Sequence, residues 1–300
     1  MPVLSGTSLE VLDWGGHGGS LVFLAGLGNT AHIFDDLAPS LTDSFHVYGI
    51  TRRGFGRSTQ PPDSDIASSV NDLRIVSDSL GLSKVILVGH SIAGFELTAF
   101  AGSHPDRCQA LVYLDAAYDP SQSARAALNR MRWPHRPAMT AVDSATPAAV
   151  QAYFARTGRV RPPEADLRAV ARFDSGGRYI GDVTPDSLAL LMTRHLLTPA
   201  YERLPCPSLA IYAVSDSARA LIPWYAQLDS AGRADAERYF PVWRAWQQHS
   251  ITQYRRSAPF SHVVEIHDAD HYVFLSNRAE TIRAVRAFLA VIRASGKQPR

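Results

Sequence analysis

The chain has 300 residues, 46% of them apolar and 19% charged, with a formal net charge of +2. That is enough apolar material for one large α/β core or a core with an insertion, and it argues against a disordered chain. The near-neutral balance, with no basic run, argues against nucleic acid as a partner. No window is as long and apolar as a membrane helix. Met1–Gly16 has neither a basic n-region nor an apolar h-region, so the expectation is a cytoplasmic protein, or an exported one whose leader has been removed. Cys108 and Cys206 have no metal-ligand spacing and suggest no disulfide framework.

In chain order, Ser8–Trp14 alternates like a strand, and the glycine-rich Gly15–Gly19 reads as a hairpin turn. Leu21–Ala25 is a short buried strand. Gly26–Thr30 is a tight loop before a helical stretch over His32–Leu41, and Phe45–Thr51 is a further strand. Arg52–Ser58 (RRGFGRS) is a loop, and Ile66–Leu80 is an amphipathic helix closed by Gly81. Val85–Val88 is a β-branched run that passes through Gly89-His90-Ser91-Ile92-Ala93-Gly94 into a helical pattern, and Ala110–Leu114 is the next strand. Strands alternating with helices predict a mainly parallel sheet covered on both faces. After Asp115 the pattern breaks. Residues 118–200 are helical, punctuated by proline and rich in arginine (Arg125, Arg130, Arg132, Arg136, Arg156, Arg159, Arg161, Arg168, Arg172, Arg178, Arg194). The expected organisation is a core over 1–117 and 201–300 interrupted by a helical cap over 118–200. Its arginines are read as a solvated helix face rather than an anion site. Ser208–Val214 resumes the core, Leu221–Ala258 is largely helical, His262–Ile266 is the last strand, and Arg278–Ala294 is an amphipathic closing helix.

The stretch with chemical meaning is the strand–turn–helix around Ser91. A sharp turn there crowds the positions two residues to either side, and these are Gly89 and Ala93, the smallest side chains. It lifts a hydroxyl clear of the backbone and points a helix N-terminus at whatever that hydroxyl attacks. Serine is a weak nucleophile near neutral pH, so it needs a base, and the base needs a carboxylate behind it. Asp216 follows the strand Leu209–Val214, and His271 follows the last strand. Both would stand at the same sheet edge as Ser91.

These pieces, LVFLAGLG, RRGFGRS, VGHSIAG, AIYAVSD and ADHYVFLSN, are similar to those of the α/β-hydrolase superfamily over nearly the whole chain. The resemblance implies the α/β-hydrolase fold, Ser91 as nucleophile, His271 as general base and Asp216 as the orienting acid. It also implies backbone N–H groups of Leu27 and Ile92 as an oxyanion hole. Asp115, after the strand that follows the Ser91 helix, is the alternative acid, because some members draw it from there. The chain departs from the family at Ala25, where histidine is usual, and at Thr51 and Arg52, where an aspartate often begins the loop. Asp268 and Asp270 read as turn formers, His90 as a pocket support and Glu96 as half of an ion pair. No metal and no cofactor is expected. The partner expected is a small acyl substrate with an apolar part, since Trp133, Tyr153, Phe154, Tyr179, Leu190, Leu191 and Trp224 suggest an apolar pocket. The expected activity is hydrolysis of a carboxylic ester or lactone through an acyl-enzyme, and the same residues would serve an amide, a C–C bond next to a carbonyl, or acyl transfer. Two further readings are an NADP oxidoreductase, from Gly26–Ala31 with Arg52 and Arg53 as phosphate ligands, and a non-catalytic receptor on the same fold.

Overall fold

The computed structural model describes residues 1–4, 6–61, 64–120, 123–193, 196 and 198–295; Arg194 and His195 fall outside them. The elements are β1 (Pro2–Leu4), β2 (Thr7–Ser8), β3 (Val11–Gly15), β4 (Gly19–Leu24), β5 (Phe45–Ile50), α1 (Ile66–Ser79), β6 (Val85–His90), α2 (Ala93–Ser103) and β7 (Cys108–Leu114). There follow α3 (Ser123–Leu128), α4 (Pro147–Gly158), α5 (Glu164–Val170), β8 (Ala171–Phe173), β9 (Tyr179–Asp182) and α6 (Asp186–Thr193). The chain closes with β10 (Ser208–Val214), α7 (Ala218–Leu221), α8 (Ser230–Ser257), β11 (Ser261–His267), α9 (Val273–Ser276) and α10 (Arg278–Ser295).

Seven strands form one sheet in the order β11-β10-β7-β6-β4-β5-β3. Only β3 runs antiparallel, against β5. Strands β4, β6, β7 and β10 are near-continuous apolar runs because both faces are covered. Leu87, Leu97, Phe100, Leu111 and Tyr254 pack on one face. Ile86, Val88, Phe34, Phe274 and Leu289 pack on the other. Parallel strands end together, so the loops after β4, β6, β7, β10 and β11 share one edge, where α/β sheets carry their ligand sites.

Three local expectations change. Gly15–Gly19 is not a hairpin turn, because β3 pairs with β5 and β4 lies on the other side of β5. The strand expected over Ser8–Trp14 is split into β2 and β3, and His32–Leu41 forms two short 3₁₀ turns, Ala31–Phe34 and Ala38–Leu41, instead of one helix. Pro39 sits in the first turn of the second and removes a backbone donor. Among the described residues, 118–200 contribute no strand to the main sheet; β8 and β9 form their own hairpin. The two cysteines, at the start of β7 and just before β10, face each other as buried free thiols 2.9 Å apart. Among the described residues, no helix is long and apolar enough to cross a membrane.

Candidate active site

Ser91 follows β6 with φ +55°, left-handed backbone that a non-glycine residue rarely adopts. The turn is held by its neighbours' size. A Cβ on Gly89 would stand 2.6 Å from a Leu97 methyl and 3.1 Å from Ala93 Cβ. On Gly94 it would stand 2.0 Å from the Ala116 carbonyl oxygen, so α2 lies directly on the loop that follows β7. Ala93 in place of glycine is accommodated because its methyl fills the space Gly89 leaves.

The turn after β4 closes over Ser91. A Cβ on Gly26 would meet His90 Nδ1 at 2.6 Å and Ser91 Cβ at 3.2 Å, so only glycine lets that backbone lie there. Beneath, Arg52 donates to the carbonyl oxygens of Ala25 (2.8 Å) and Gly26 (3.5 Å) and forms a two-pronged buried pair with Glu96 at 2.5 and 2.7 Å. Arg53 is paired in the same way with Asp72. Both arginines are therefore committed inside the fold, which removes the phosphate ligands of the oxidoreductase reading. The N–H groups of Leu27 and Ile92 donate to no acceptor among the described residues.

His271 lies between β11 and α9. Its Nδ1–H donates to Asp115 Oδ2 at 2.6 Å, not to Asp216. The expectation that Asp216 orients the imidazole is corrected by this geometry. Asp216 lies in the loop after β10, the strand next to β11, and there it accepts from His267 Nδ1 at 2.8 Å and from Arg244 at 3.3 Å. Its side chain is 53% exposed, against 5% for Asp115. Asp115 directly follows β7, beside the strand that leads to Ser91, and its own φ of +46° turns its carboxylate over the end of β10. There Oδ1 accepts from Ala213 N at 3.0 Å and from Tyr118 Oη at 2.6 Å. Tyr118 in turn accepts from Gln247 and stacks on Trp246. With its other acceptor sites filled, the carboxylate has little freedom to turn from His271.

The charges fit a base at this point. Burial pulls His271 down, but the hydrogen bond and charge of Asp115, with the charge of Asp270, outweigh it and hold the imidazole above its ordinary value. His90 moves the other way. Burial, reinforced by the positive form of His271, holds it well below the usual range, so it stays neutral. Its Nε2–H donates to the His271 carbonyl at 3.0 Å and its ring lies 4.5 Å from the His271 ring, consistent with a supporting role. Asp270 accepts from the Tyr272 N–H, and Asp268, at φ +52°, pairs with Arg159.

One carboxylate was not singled out by the sequence. Asp166 of α5 is 1% exposed and reaches the Gly26–Thr30 turn. It accepts from Thr30 N and Oγ1, each at 2.8 Å, and from Asn29 Nδ2 at 2.9 Å. Asn29 Oδ1 accepts from Tyr272, the neighbour of His271. Burial pushes Asp166 up to about 6. Nothing in the sequence around it marks this contact, because its partners stand more than 130 positions away. Among the described residues, no three His, Cys, Asp or Glu side chains are grouped to hold a metal.

A parallel sheet with a strained serine at a strand–helix turn, and a histidine–aspartate pair on the neighbouring loops, defines the α/β-hydrolase fold. A family described as alpha/beta hydrolase fold matches residues 19–140. Residues 19–140 are therefore similar to the α/β-hydrolase family, and the fold itself extends over nearly the whole chain. A putative carbamate hydrolase from Caulobacter segnis is 34% identical over 116 residues, 37% of this chain and 43% of that protein. The chain thus spans under half the length of the curated relatives it matches. Among solved structures, E-2-(acetamidomethylene)succinate hydrolase superposes with a TM-score of 0.65 at 21% identity, covering 95% of this chain and 96% of that one. The enol-lactonase of Burkholderia xenovorans gives 0.59 at 18% identity, covering 96% and 99%.

Proposed function

We propose that the protein is a serine hydrolase that cleaves a carboxylic ester or lactone through an acyl-enzyme. Ser91 Oγ attacks the carbonyl carbon and His271 Nε2 takes its proton. Asp115 holds the imidazole in the tautomer with Nε2 free and stabilises the imidazolium that forms. The N–H groups of Leu27 and Ile92 receive the oxyanion. His271 then protonates the leaving alkoxide. Water, deprotonated by the same imidazole, releases the acid and restores Ser91.

The observation that carries this reading is the short His271–Asp115 bond on the loops flanking a serine at φ +55°. A receptor that merely enclosed a ligand would have no need of a positioned base or of strain at residue 91. The test is a fluorophosphonate, which labels only an activated serine, followed by turnover of a short p-nitrophenyl ester. Labelling should map to Ser91, and Ser91→Ala should lose turnover by about 10³-fold or more. Undiminished turnover in a folded Ser91→Ala would remove the proposal.

A further inference from the structure

Most arginines of residues 118–200 are exposed, as expected of a solvated face, and several are paired at the surface. Arg156 pairs with Asp143, Arg159 with Asp268 and Arg168 with Glu164. Arg136 is held otherwise. Its guanidinium carbon lies 5.4 Å from the Phe154 ring centroid and 5.2 Å from that of Trp224, and it makes no ion pair or hydrogen bond among the described residues. Two aromatic faces fix the plane of a guanidinium without using any of its five N–H donors, which stay available to a planar anion. The Trp224 indole N–H is buried and also lacks an acceptor.

The position of this cation matters as much as its holding. A Cβ on Gly158 would stand 3.6 Å from Arg136 Nη2, so the guanidinium borders the end of α4. The next residue, Arg159, at φ +55°, is bonded at 2.7 Å to Asp268, three residues before His271. Arg136 also opposes the upward push of burial on Asp270 and Tyr272, the two neighbours of His271. The free fork therefore overlooks the loop that carries the base, and it remains exposed to an arriving ligand.

We propose that Arg136, shelved between Phe154 and Trp224, anchors a carboxylate on the acyl part of the substrate, so that the preferred substrates are half-esters of short dicarboxylic acids. This rests on the hydrolase reading and narrows its substrate class. A bidentate arginine–carboxylate contact is stronger than a neutral hydrogen bond, and its loss typically costs about 10- to 100-fold in binding.

The test compares ionised mono-p-nitrophenyl glutarate with its neutral methyl ester, alongside calorimetric titration of glutarate and dimethyl glutarate. The wild type should favour the ionised ester by about tenfold or more in kcat/KM. Arg136→Gln should collapse that ratio, chiefly through KM, while Arg136→Lys keeps part of it. Glutarate, and not its dimethyl ester, should bind the wild type and not Arg136→Gln. An equal preference in the wild type, or a ratio and a glutarate affinity unchanged in a folded Arg136→Gln, overturns the anion site while the hydrolase reading stands. Glutarate binding that depends on Arg136, in a protein that turns over neither ester and takes no fluorophosphonate, leaves the anion site and removes the hydrolase.

Discussion

At the scale of single residues, the two aspartates after β7 and β10 make opposite predictions. If Asp115 orients the base, Asp115→Asn should lower kcat by about 10³- to 10⁴-fold, since the imidazole loses the partner that sets its tautomer. Asp216→Asn should stay within a few-fold, because its carboxylate serves His267 and Arg244 in solvent. Steady-state kinetics on one ester separates the two, and the reverse pattern would return the role to Asp216. The pH profile supplies an independent reading. The base acts when neutral, and Asp115 holds His271 above its ordinary value of about 6.5. Activity in kcat/KM should therefore fall, as pH drops, through a point above 6.5. In Asp115→Ala the residual activity should fall at a lower pH, since the charge favouring the imidazolium is gone.

At the scale of elements, α5 and the Gly26–Thr30 turn act as one unit because Asp166 fastens them. Asp166→Ala should loosen that turn and lower kcat by about tenfold with little change in KM, as expected for a group that acts only where charge develops. Its titration near 6 adds a second proton to the acid side of the profile. Below about pH 6 Asp166 becomes neutral and gives up an acceptor at Thr30 or Asn29. There log kcat/KM should drop by up to about one extra unit, steepening beyond a slope of one over about one pH unit before resuming it, and Asp166→Asn should keep a slope of one throughout. A wild-type slope of one down to pH 5 would show that the turn does not depend on this carboxylate. The same elements show what the sequence could and could not reveal. The strand–turn–helix at Ser91 was legible because the crowding between Gly89 and Ala93 is local to the turn, whereas the contact of Gly94 with Ala116 is not. His271 was legible because it follows a strand. That His271 bonds Asp115 and not Asp216 was not, because it depends on sheet order: β7 lies beside β6, whereas β10 is one strand further out. Asp166 and Arg136 were hidden for a related reason. Their meaning lies in what the irregular segment around them packs against, and no periodicity encodes that.

At the scale of the whole molecule, stability and the site meet in the buried pair between the loop after β5 and helix α2. Arg52 and Glu96 have side chains only 4% and 3% exposed, and Arg52 also carries the carbonyls of Ala25 and Gly26. Removing one member leaves an uncompensated charge in the core, which typically costs about 3–5 kcal/mol, whereas replacing both by apolar groups of similar size is often near neutral. Arg52→Met should therefore be severely destabilised in urea unfolding, and Arg52→Met with Glu96→Leu should recover most of that loss. Activity should not recover with it. The double variant still lacks the donor beneath the turn that presents the Leu27 N–H, so kcat should remain depressed after stability has returned. A double variant as active as the wild type would make the pair a matter of folding alone. One that stays unstable would mean that the carbonyl contacts, rather than the Glu96 charge, are what the fold requires of Arg52.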